Sequence, residues 1–89
     1  MPSRNVTVAS RVGLHARPAS LFVQAVTATG LPVTIAKAGG DPVDARSILM
    51  VMGLGVGSQE EVVLTAEGDG ADEALDKLVE LLEIDHDAA

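Results

Sequence analysis

His15 stands two residues before Arg17, with Pro18 next, in the stretch GLHARPAS at 13–20. An imidazole is nucleophilic at neutral pH only while uncharged. Pro18 fits only the first turn of a helix, where a missing N–H costs nothing. His15 therefore reads as lying at or near the N-cap of a helix. The N–H groups of Ala16 and Arg17 have no intrahelical partner at such a position, and the helix dipole adds partial positive charge. With the Arg17 guanidinium, these groups make an anion site suited to phosphate. The same positive field disfavours imidazolium and should lower the pKa of His15. One geometry then serves both states of a reversible phosphoryl acceptor: neutral nucleophile and phosphorylated ring. The competing reading of a single histidine beside a helix start is a plain cap or surface residue.

The elements that must hold this stretch follow from periodicity. Residues 5–9 alternate, with Val6 and Val8 on one face, and read as a strand. Residues 11–14 are a loop with a glycine pivot. Ala19, Phe22, Val23 and Val26 fall at helical spacing within a helix from Ala16 to Thr29, which Gly30 ends. VTIAKA (33–38) alternates, Gly39-Gly40-Asp41 is a turn, and 42–45 is a short edge strand. Ser47 reads as the N-cap of a short helix from 48 to 53, followed by a loop at 53–59. Residues 60–68 alternate again, with Val62 and Leu64 on one face. From Ala71 to Ile84, Ala74, Leu75, Leu78, Leu81 and Leu82 form a helical stripe, and Asp72 and Glu73 suit its N-terminal end. The order β-α-β-β-α-β-α predicts an α+β fold: a mostly antiparallel sheet with helices on one face and water on the other. Residues 85–89 are expected to be a frayed tail.

Composition bounds the function. Eighty-nine residues allow a single domain, 1–89. There is no cysteine, so neither a disulfide nor a thiolate nucleophile or metal site is available. Six basic residues, one Phe, no Tyr or Trp and a net charge of −7 argue against nucleic acid. No apolar run is long enough to cross a membrane, and a cytoplasmic protein is expected. GLGVG lacks the Lys-Ser/Thr of a P-loop. Asp85-His86-Asp87 has metal-ligand types but sits in the tail, so no metal or cofactor is expected.

GLHARPAS resembles the active-site signature of the HPr family, the histidine-containing phosphocarriers of the bacterial phosphoenolpyruvate:sugar phosphotransferase system. A second signature, a serine followed by an apolar helix ending in Leu-Gly, is matched by ARSILMVMGLGV at 45–56. The likeness extends through GSQEEVVLTAEG and the terminal helix, nearly the whole chain. It implies an open-faced β-sandwich of four antiparallel strands with three helices on one face. It also implies phosphorylation of His15 on Nδ1, with Arg17 contacting the phosphoryl group. The donor would be phospho-Enzyme I, and the acceptor a histidine of an Enzyme IIA domain of a sugar transporter. Such a protein is a monomeric shuttle for phosphoryl groups rather than a stand-alone enzyme, with regulatory proteins as further partners.

Ile48, Leu49 and Met52 resemble the family's docking helix, and Ser20 and Gln24 lie on turns that flank His15. Val51 and Leu54 are the expected core members, since so short a helix cannot turn all its apolar residues inward. Ser47 matches a position that is a regulatory phosphorylation site in some lineages. A plain N-cap is the competing reading, and Met50 stands where family members with the regulatory serine commonly carry glycine. An apparent one-residue insertion at 39–41 should only lengthen a turn. Rival functions are a nitrogen-linked or regulatory phosphotransferase carrier, a regulatory docking module without phosphotransfer, and a generic anion-binding domain.

Overall fold

The computed structural model describes residues 2–11, 13–14 and 16–84, with the side chain of Ala16 left aside. Seven elements follow in the expected order: β1 (Ser3–Thr7), α1 (Ala16–Thr29), β2 (Val33–Lys37), β3 (Val43–Asp44), α2 (Ile48–Gly53), β4 (Glu61–Ala66) and α3 (Ala71–Leu82). The strands form one antiparallel sheet in the order β1-β4-β2-β3. β4 is central: Val6 opposes Val62 on one side, and Ile35 opposes Leu64 on the other.

Period-two patterning sorts the two faces. Val6, Val33, Ile35, Val62, Leu64 and Ala66 turn toward the helices and are buried. Ser3, Asn5, Thr7, Thr34, Val63 and Thr65 lie on the other face, exposed or half-buried. This is the open-faced sandwich expected from the sequence. Phe22, Val26, Leu75 and Leu78 close the core from α1 and α3.

The boundaries of α1 and α2 fall where their punctuation puts them. Gly30 takes φ +70° after α1, a conformation that favours glycine. Ser47 caps α2 by accepting from Met50 N at 3.3 Å. The outer strand ends and the last helix differ from expectation. β1 runs from 3 to 7 rather than 5 to 9, because its ladder ends where β4 begins. Val8 N still donates to Glu60 O, and Gln59 N to Val8 O, around a bend in which Gln59 has φ +66°. β4 stops at Ala66 because Gly68 turns the chain at φ +109°. The edge strand shrinks to Val43–Asp44, and β2 ends at Lys37. α3 ends at Leu82, whose carbonyl accepts from Ala9 N and thereby fastens the last helix to the segment after β1. Leu81 is only half-buried, and Ala71 joins the core in its place.

Candidate functional site

The segment before α1 is set by a close backbone approach. Gly13 has φ +69°, and a β-carbon there would collide with the Val56 carbonyl oxygen and the Gly57 backbone. Leu14 is buried, and its N–H donates to Val56 O at 3.0 Å. The chain is thus pinned against the loop after α2, one residue ahead of His15. His15 itself, like Val12 and the 85–89 segment with Asp85-His86-Asp87, lies outside the described residues. α1 starts at Ala16, so His15 directly precedes its first residue in the chain. Arg17 is exposed in the first turn, while Pro18 and Ala19 are buried beneath it. The first turn contains no acidic residue to compete with an incoming anion.

Ser20 and Gln24 sit one turn apart and are joined by Gln24 Nε2 donating to Ser20 Oγ at 3.1 Å. α2 packs against α1. Its apolar run divides as its shortness requires: Val51 is fully buried, while Ile48, Leu49 and Met50 are 38%, 80% and 48% exposed. Met52 is half-buried against the core and keeps part of its surface open, and Met50 is the more exposed methionine; Leu54 is half-buried rather than fully interior. A turn and a half of helix gives Val51 and its neighbours at 52 and 54 the inner side, leaving 48–50 outside. The exposed apolar surface of α2 is centred on Leu49.

Sequence reasoning missed three polar features. Asp44 Oδ1 accepts from Arg46 N at 2.9 Å and from Arg46 Nε at 3.1 Å, shaping the turn into α2. The Arg46 side chain, then its backbone N–H, holds the Asp44 carboxyl below the usual carboxylate range. Glu60 Oε1 accepts from Gly57 N at 2.9 Å, and Oε2 pairs with Lys37 Nζ at 3.2 Å. The Gly57 N–H first, and Lys37 second, lower the Glu60 pKa. Arg4 reaches from β1 to Asp72 at 2.9 Å and Asp76 at 3.3 Å on α3. None of the three has a periodic signal, since each depends on which strands and turns become neighbours.

With this geometry in hand, comparison with known proteins is direct. The family model described as "PTS HPr component phosphorylation site" matches residues 2–83. Phosphocarrier protein HPr of Streptomyces coelicolor is 56% identical over 82 residues, covering 92% of this chain and 88% of the relative. Phosphocarrier protein HPr of Haloferax volcanii is 50% identical over 80 residues, covering 89% and 90%. The crystal structure of a phosphocarrier protein HPr from Bacillus anthracis superposes with a TM-score of 0.86 at 37% identity, covering 91% of this chain and 95% of that one. An antiparallel open sheet under three helices, with this signature ahead of α1, defines a phosphocarrier of the phosphotransferase system. The chain belongs to the HPr family.

Proposed function

We propose that this protein carries phosphoryl groups from phospho-Enzyme I to a histidine of Enzyme IIA domains in sugar uptake, through Nδ1 of His15. The carrying observation is the family match spanning position 15, together with the Leu14–Val56 anchor, which ties the residue before it to the α2 loop. In the forward step the neutral Nδ1 lone pair attacks the phosphorus of the donor phosphohistidine. A new N–P bond forms and the donor N–P bond breaks; the phosphorylated His15 ring gives up its Nε2 proton as the donor ring takes one back, so both rings end neutral. Phosphoryl transfer passes through a loose transition state with charge on the equatorial oxygens. The Arg17 guanidinium and the N–H groups of Ala16 and Arg17, which have no partner within the helix, answer that charge. The second transfer reverses the roles, with Enzyme IIA as acceptor.

Ile48, Leu49 and Met52 of α2, with exposed Met50 next to them, and Ser20 and Gln24 on α1 form the surface on which both partners dock in turn. Adaptable apolar side chains suit a surface with several partners. The protein works as a single domain, as a monomer, in the cytoplasm. In keeping with this, no helix among the described residues is long and apolar enough to cross a membrane. Ser47 acts here as an N-cap. A phosphate on it would face a helix N-terminus, which the fold tolerates, while setting negative charge beside the docking surface.

The test is phosphorylation with phosphoenolpyruvate and Enzyme I, read by intact mass and by acid and base stability. One acid-labile, base-stable phosphoryl group, absent in His15→Ala, is expected. No incorporation, with the same Enzyme I active on another carrier, would overturn the reading and favour a docking module that has kept the signature without its use.

A further inference from the structure

Lys37 and Glu60 lie outside the residues assigned above to transfer, yet they close on the loop that anchors Leu14. That loop is intrinsically loose: the sequence 55–59 is GVGSQ, with Gly55 and Gln59 both at φ +66°. Glu60 gathers it from one end, with Oε1 accepting from Gly57 N at 2.9 Å. Lys37 gathers it from the other, with Nζ donating to Gly55 O at 3.3 Å. The two side chains then meet at 3.2 Å. Between their two attachment points is Val56, whose carbonyl accepts from Leu14 N at 3.0 Å. Gly13 packs on that same carbonyl and on Gly57. An exposed ion pair of this kind adds little to stability. Its geometry matters more, because a nucleophile misplaced by an ångström loses much of its rate.

We propose that Glu60 and Lys37 are positioning residues for phosphoryl transfer: they fix the 55–57 loop so that Val56 holds Leu14, and through it the chain leading into His15. The assignment rests on the carrier reading above. Neither residue touches the phosphoryl group. Their effect reaches it through one carbonyl and one N–H.

The test compares transfer from phospho-Enzyme I in wild type, Glu60→Ala, Glu60→Gln and Lys37→Met, with Leu14 amide exchange measured on each. Glu60→Ala should lose about tenfold in maximal rate while KM stays within about twofold, because the α2 surface is untouched. Its Leu14 amide should exchange faster. Glu60→Gln keeps an oxygen for Gly57 N and should recover to within about threefold of wild type, whereas Lys37→Met, which loses the contacts to Gly55 O and Glu60, should lose about three- to tenfold and exchange its Leu14 amide faster. Glu60→Ala equal to wild type in rate and exchange would overturn the assignment, as would a loss confined to KM or one that Glu60→Gln fails to restore. If Glu60→Ala does not fold, Lys37→Met decides: a rate and Leu14 exchange equal to wild type overturn it. A wild-type chain that takes no phosphoryl group removes the carrier reading and this assignment together, whereas normal wild-type transfer with indifferent variants removes this assignment alone.

Discussion

At the scale of single residues, Gly13 has two reasons to be glycine. Its φ of +69° costs an alanine about 1–2 kcal/mol. The contact with Val56 O adds an overpacking cost, so Gly13→Ala should destabilise by about 2–4 kcal/mol in urea unfolding. Transfer should fall with it, because the displaced backbone lies two residues before His15 in the chain. Arg17 behaves differently. It is exposed, so Arg17→Ala should leave the circular dichroism spectrum and unfolding midpoint unchanged while slowing phosphoryl transfer. Arg17→Lys should restore only part of the rate, since a point charge replaces a planar fork that grips two oxygens. Wild-type rates in Arg17→Ala would remove its assigned role.

At the scale of elements, α2 separates stability from docking. Leu49 is 80% exposed, so Leu49→Ser should shift stability by no more than about 0.5 kcal/mol yet raise KM for both partners. Ser47→Ala should do the reverse, costing about 0.5–2 kcal/mol through the lost cap while docking persists. Paired measurements of urea unfolding and KM on the two variants check this division. The same element shows what the sequence could and could not say. Ser47, Pro18 and Gly30 are punctuation with a local physical cause, so the bounds of α1 and α2 were legible. The outer strand ends were not, because a strand stops where its partner stops, and that depends on sheet order. That Met50 is more exposed than Met52 needed the helix's actual rotation against the core. The His15–Arg17 pair was visible as chemistry. Glu60 and Lys37 were not, because only the pairing that sets Lys37 opposite Val62 brings them together.

At the scale of the whole molecule, acid sensitivity follows from two carboxylates. Asp44 and Glu60 both have folded pKa values lowered, by Arg46 and by the Gly57 N–H with Lys37 respectively. Their stabilisation is therefore fully present above the unfolded carboxylate range, near pH 4–4.5. It is lost as pH falls through the lower folded values. Because both carboxylates are exposed, these two groups should contribute only a small drop in urea midpoint between pH 6 and pH 2, one that an Asp44→Asn, Glu60→Gln double variant lacks. The sheet order β1-β4-β2-β3 has a consequence for biosynthesis. Among the described residues β1 pairs with β4 alone, a strand made much later in the chain, so Ser3 must wait for Thr65. The carbonyl of Leu82 that holds Ala9 arrives later still. Folding of these elements cannot complete before β4 and α3 are made: β1 precedes both in the chain, and its pairing edge must stay open until they emerge.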